Sequence, residues 1–180
     1  MKTGIVVTGL PASGKTSVAR AVASELGFAF FDKDDFLEDL YDKHPVKTWE
    51  DRKRLSRKSD NLFQEAVQQH GSAVLVSHWR PAGAQGESGT PTDWLLTAYD
   101  QLIEVCCLCP PQIAFERFIA RNRHPGHFDK QRDPEELANR LKTWQHHYPL
   151  NIGILVQVRT DGEVDVNSLV EDIRTKSNWR

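Results

Sequence analysis

Cysteine is scarce in this chain: Cys106, Cys107 and Cys109 are the three, crowded into one apolar run. Neighbouring side chains of a strand alternate between sheet faces, so reduced core thiols are the reading. Cys106 and Cys109 share a CxxC spacing, but redox and zinc motifs set that spacing at a helix start or a turn. Charge of one sign is also lacking. A net charge of −2 and a pI near 6.4 supply no global positive field to draw nucleic acid or anionic lipid, so any basic site must be local. No apolar run approaches the roughly 20 residues of a membrane helix, and Met1 to Thr8 lacks a basic segment followed by a longer apolar one. No membrane association and a cytoplasmic location are expected. Repeats and low-complexity tracts are missing too, and 180 residues with 39% hydrophobic content suit one sizeable core.

What is present is an alternation. Apolar runs of strand length occur at Gly4 to Thr8, Phe28 to Phe31, Ala73 to Ser77, Leu102 to Cys109 and Ile152 to Val158. Between them lie helical patterns at Lys15 to Leu26, Leu55 to Gln69, Pro111 to Arg121, Pro134 to Tyr148 and Val166 to Lys176. Gly27 supplies a helix stop, and Pro111 and Pro134 suit first-turn positions. Continuous apolar strands joined by helical crossovers imply an α/β fold, a parallel sheet with helices on both faces, and a ligand crevice at the strands' C-terminal ends.

The segment Gly9-Leu10-Pro11-Ala12-Ser13-Gly14-Lys15-Thr16 matches GxxxxGK[ST], between an expected strand and an expected helix. Glycines let backbone N–H groups converge on phosphate oxygens, and the helix N-terminus adds partial positive charge. Lys15 is expected to reach the β- and γ-phosphates, Thr16 to ligate Mg²⁺, and Ser17 to join the ATP-binding set.

The strings DxxG and NKxD of signalling GTPases are absent, and the third strand runs into Ser77-His78-Trp79-Arg80 instead of ending in the Asp of motor-type ATPases. A magnesium carboxylate is available after the second strand, in Asp32-Lys33-Asp34-Asp35, where alternation would point Asp32 and Asp34 the same way. Here the chain resembles the small P-loop kinases, such as shikimate kinase, gluconate kinase and the chloramphenicol phosphotransferase-like family. The resemblance spans nearly the whole chain. It implies a P-loop nucleoside triphosphate hydrolase fold of five parallel strands in the order 2-3-1-4-5, one kinase domain over 1–180, a substrate-binding insertion at about 36–70 and a lid at about 122–132. It also gives Asp32 the Mg²⁺ water shell and Asp34 the acceptor hydroxyl, with Asp35 as an alternative base. The same acidic string also fits a helix start capped at Asp35.

Arg117 and Arg121 stand one turn apart, with Arg123 just beyond. Their spacing looks like the RxxxR of adenylate-kinase-like enzymes, which implies that Arg117 stacks on adenine and Arg121 contacts the phosphates. Without a ligand, the same arginines make a solvated helix face. Asn122 to Arg132 reads as a mobile lid, with His124 and His127 in lid contacts or exposed.

On the acceptor side, Arg54, Arg57 and Lys58 lie on a helix whose buried side reads as Leu55, Leu62, Phe63 and Ala66. With Arg80 opposite, they are candidates to hold an anionic or polyhydroxylated small molecule, or else form a plain basic surface. Arg80 to Pro91 is long and polar enough to shape the acceptor pocket, with Trp79 and Trp94 lining it or simply packing. The loop after strand five, Val158 to Gly162, is where such enzymes pass a loop beneath adenine. Together these give an ATP- and Mg²⁺-dependent kinase for a small-molecule hydroxyl, with Lys15, Asp34 and Arg121 catalytic. A 5′-hydroxyl nucleic-acid kinase or an ATP-binding module without a small-molecule acceptor are the alternatives; nucleic acid is not the expected partner. The sequence assigns no oligomeric state.

Overall fold

The apolar runs become strands that lie parallel to one another. The computed structural model describes residues 1–81, 84 and 88–178. Strand β1 (Thr3–Gly9) is flanked by β3 (Ala73–Val76) and β4 (Gln101–Leu108), with β2 (Ala29–Asp32) beyond β3 and β5 (Ile154–Arg159) beyond β4. The order is β2-β3-β1-β4-β5, all parallel, as the resemblance implied. Alternation divides β1 between two cores. Ile5 and Val7 pack with Val18, Val22, Ile103, Val105, Leu169 and Ile173, while Val6 packs with Phe63, Val67, Leu75, Trp79 and Leu95 on the opposite face.

Helix α1 (Lys15–Leu26) has its expected bounds and ends on Gly27 in the left-handed region. The next helix was not expected. α2 (Lys33–Lys43) follows β2 without a loop, because Asp32 caps it by accepting from the Asp34 N–H at 3.0 Å. Asp32, not Asp35, is therefore the cap. α3 (Trp49–Gln68) starts six residues before the expected Leu55, fixed by a capping box in which Thr48 accepts from the Asp51 N–H and Asp51 accepts from the Thr48 N–H. Its buried stripe is Leu55, Ser59, Phe63 and Val67; Leu62 is exposed.

A short α4 (Leu95–Ala98) precedes β4, then come α5 (Pro111–Ala120), α6 (Pro134–Trp144) with a 3-10 turn at Gln145–His147, and α7 (Val166–Ser177). Trp79 and Trp94 pack instead of lining a pocket: each donates its indole N–H to a backbone carbonyl, Val7 and Pro91, and both lie near the Phe63 ring. The three cysteines are free and buried. Among the described residues no helix is long and apolar enough to cross a membrane. The sheet brings the C-terminal ends of β1, β3 and β2 side by side, so Gly9, Asp32 and the residues after Val76 share one crevice.

Candidate active site

The loop from Gly9 to Gly14 turns by placing Gly9, Ala12 and Gly14 at positive φ, a backbone that points N–H groups into one concavity. Gly9 is doubly constrained, since a Cβ there would stand 2.6 Å from the Cys107 carbonyl oxygen. At the N-terminus of α1 no side chain caps the helix and no acidic residue lies in the first turn. The first-turn donors thus lack an intrahelical partner, and the Ser13 hydroxyl is buried without one. Such a cradle fits a polyphosphate.

Lys15 is buried at the foot of the loop and donates to the carbonyls of Leu10 at 2.7 Å and Gly9 at 3.1 Å. Burial lowers its pKa to about 8, against the raising influence of Cys107, Asp34 and Asp32. Thr16 donates its hydroxyl to Asp32 Oδ2 at 2.8 Å. Two hard oxygen ligands, from a hydroxyl and a carboxylate, suit Mg²⁺. Burial first, then the charge of Asp34, raises the pKa of Asp32 to about 6.

Asp32 and Asp34 do come together, but not by strand alternation: one ends β2 and the other stands in the first turn of α2. Asp34 accepts from Arg123 at 3.1 Å. Burial would raise its pKa, yet Arg123, then His127, Lys33 and Arg121, outweigh it and hold the carboxyl below its usual value. Asp34 is thus a committed carboxylate, suited to orienting a hydroxyl and accepting its proton late in the transfer.

α5 ends at Ala120, and Arg121 is extended, so the two arginines do not share a helix face as expected. Arg117 donates to the carbonyls of Thr160 and Asp161, which fastens α5 to the loop after β5. Arg121 lies over the Phe118 ring and donates twice to Asp129, which also pairs with Arg123 at 3.4 Å. The 122–132 segment forms 3-10 turns at Pro125–His127 and Asp129–Gln131. It docks on α2: His127, fully buried, contacts Glu38 at 2.9 Å, and His124 stacks on Tyr41 and contacts Asp42. Contact, not exposure, is the fate of both histidines.

The basic residues expected at the acceptor are spread over the surface of α3 and the loop after β3. Arg54 pairs with Asp51 and Arg57 with Glu50, and Lys58 is exposed. The edge facing α2 carries Ser56 and Asp60, which hold the buried Lys33 at 2.8 and 3.6 Å. Arg80 folds back to the carbonyls of Ser88 and Gly89, because a bridge between Trp79 and Thr90 pinches the loop shut. Of that loop, residues 82, 83 and 85–87 lie outside the described residues.

Sequence reading missed Lys33, Asp129 and His78. His78 follows β3 by two residues; its Nδ1 is buried without a partner and its ring lies 5.0 Å from that of Trp144. The polar string Ser77-His78 at a strand's C-terminal end was the available signal.

An AAA domain family model matches residues 5–137. A crystal structure of a candidate kinase from Chloroflexus aurantiacus J-10-fl is similar at 25% identity and TM-score 0.78, over 97% of this chain and 98% of that one. A gluconokinase from Sinorhizobium meliloti 1021 shares the fold, with 19% identity and TM-score 0.57 over 98% and 95% of the two chains. The shikimate kinase of Clostridium beijerinckii is 29% identical over 77 residues, 43% of this chain and 46% of that one. The chain spans less than half the length of the curated relatives it matches. With a family model matching well over half of the chain, and with the P-loop and the 2-3-1-4-5 sheet in place, the chain belongs to the AAA domain family, as one of its P-loop proteins built like the small-molecule kinases.

Proposed function

We propose that this protein is an ATP-dependent kinase that transfers the γ-phosphoryl group to a hydroxyl of a small molecule. The observation that carries the reading is the Thr16–Asp32 hydrogen bond with Asp34 beside it, at the mouth of an uncapped, anion-ready helix. Shikimate kinase and gluconokinase relatives support a hydroxyl acceptor. In this reading the loop N–H groups and Lys15 hold the phosphates, and Thr16 and Asp32 hold Mg²⁺. The cation, when bound, neutralises charge on the phosphate oxygens. Asp34 orients the acceptor hydroxyl and takes its proton, while Arg121 and Arg123 stabilise the charge of the moving phosphoryl group once they leave Asp129.

We also read 1–180 as one kinase domain, 36–70 as its acceptor-binding insertion and 122–132 as its lid. Three free thiols suit a reducing, cytoplasmic setting. The test is a turnover screen of small hydroxyl compounds with ATP and Mg²⁺, beside calorimetry on Lys15→Ala. Loss of about 100-fold in ATP affinity is expected for the variant. Wild-type ATP affinity in Lys15→Ala, or no acceptor phosphorylated, refutes the reading.

A further inference from the structure

We infer that Lys33 is a positioning residue for the transfer: anchored on α3, it holds the first turn of α2, and with it Asp34, in line with the acceptor hydroxyl. The inference rests on the phosphotransfer reading above. Three observations carry it. The first is that Lys33 stands where a lysine is least at home. It is the first residue of α2, at the end of a helix that repels a cation, and its side chain is turned inward with 9% exposed. Burying an ammonium there is costly, and an uncharged side chain would suit the helix better. Conflicts of this kind between a residue and its place gather at functional sites.

The second observation is the anchorage. The ammonium donates to the Ser56 hydroxyl at 2.8 Å and lies 3.6 Å from Asp60, one turn further along α3. Asp60 accepts from the Thr90 hydroxyl at 2.7 Å, and Thr90 Oγ1 stands 2.5 Å from the buried hydroxyl of Ser77, just past the end of β3. The Thr90 backbone is fixed in turn to His78 and Arg80 by two hydrogen bonds of 2.8 Å. One chain of polar contacts thus runs from the residue beside Asp34, through α3, to an interior strand of the sheet. A shift of the first turn of α2 would break it.

The third is what else holds Asp34. Its carboxylate meets Arg123 at 3.1 Å, and Arg123 belongs to the 122–132 segment, where it also meets Asp129. In the phosphotransfer reading Arg123 turns to the moving phosphoryl group, so Asp34 loses that partner at the moment its direction matters. Lys33 has no such second task. Among the described residues its hydrogen bond and ion pair are both with α3, and its charge acts on Asp34 throughout. A carboxylate free to swing by about 1 Å would still let an acceptor bind but would misdirect its hydroxyl.

The test is steady-state kinetics with a confirmed hydroxyl acceptor on Lys33→Met, on the Lys33→Met/Asp60→Leu double variant, and on Lys33→Met added to Asp34→Asn. Lys33→Met is expected to lower kcat about tenfold or more, while acceptor KM and ATP affinity by calorimetry change less than about threefold. The double variant, which replaces the buried pair by apolar groups, is expected to regain the wild-type melting temperature without regaining kcat. In the Asp34→Asn background Lys33→Met is expected to cost less than about threefold more, since it acts through the carboxylate already removed. Wild-type kcat in a double variant of wild-type stability, full additivity with Asp34→Asn, or a loss confined to ATP affinity overturns the inference and leaves the kinase reading intact. Should Lys33→Met fail to fold, the double variant decides. No turnover of any hydroxyl compound by the wild type removes the kinase reading, and the inference with it.

Discussion

On the β1–α1 side of the crevice the binding groups are mostly backbone, held by residues 9–16 within a single stretch of chain. On the α2–lid side they are side chains brought together from far apart, as when Arg123 meets Asp34 across 89 residues. The first half is therefore preformed and indifferent to the rest of the molecule, provided the strand and helix stand in place. The second exists only when α2, α3 and the 122–132 segment dock, and its arginines share acids, with Arg121, Arg123 and Arg132 all meeting Asp129. A phosphate chain is common to every nucleotide, so a fixed backbone cradle suffices for it. Under the proposed kinase reading an acceptor is particular, and side chains gathered from several elements suit it.

Asp34→Asn should break the comparison most sharply. Turnover with a confirmed acceptor should fall on the order of 100-fold or more, with ATP affinity by calorimetry unchanged. Equal losses in both would mean that the halves are not separate. Gly126→Ala should act on the docked half alone. A Cβ there would stand 2.5 Å from the Tyr41 ring, so the lid must lift from α2; the acceptor KM should rise about three- to tenfold while ATP affinity holds.

Asp32 joins the halves, and pH reads it. Its folded pKa of about 6 lies above the ordinary carboxylate value of about 4, so the folded state keeps a proton that the unfolded chain has released. Its contribution to stability is fully present below pH ~4 and is lost as pH rises through ~6. Without Mg²⁺, Asp32→Asn should melt level with the wild type near pH 4 and a few degrees higher above pH 6, since about 1–3 kcal/mol is at stake. An offset that does not vary with pH in a thermal melt would discount the burial argument. Smallest of all, Arg54→Ala and Lys58→Ala should change acceptor KM and stability by less than about twofold and ~0.5 kcal/mol, the mark of solvated surface charge.

The elements legible in the sequence were those with local causes. The strands, α1, α5, α6 and α7 followed from apolar period and from Gly27, Pro111 and Pro134 as punctuation. α2 is hard to read from sequence because its cap, Asp32, also accepts from Thr16 and so serves the helix and the P-loop at once. The start of α3 was misplaced because Thr48 and Asp51 form a capping box before any apolar period begins. At the site, Thr16, Asp32, Asp34 and the arginines were legible as residue types. That Arg123 meets Asp34 was not, since a pair across 89 residues leaves no local pattern.

By itself the sequence determined the sheet, its phosphate loop and the carboxylates at the end of β2, because strand period, glycine placement and helix punctuation act within about ten residues of chain. Tertiary structure alone decided which edge of α3 faces inward, that the His78 ring stands beside that of Trp144, and that Arg121 and Arg123 converge on one Asp129. Those outcomes are set by docking, where side chains many residues apart compete for the same buried partners, and no local pattern encodes the winner.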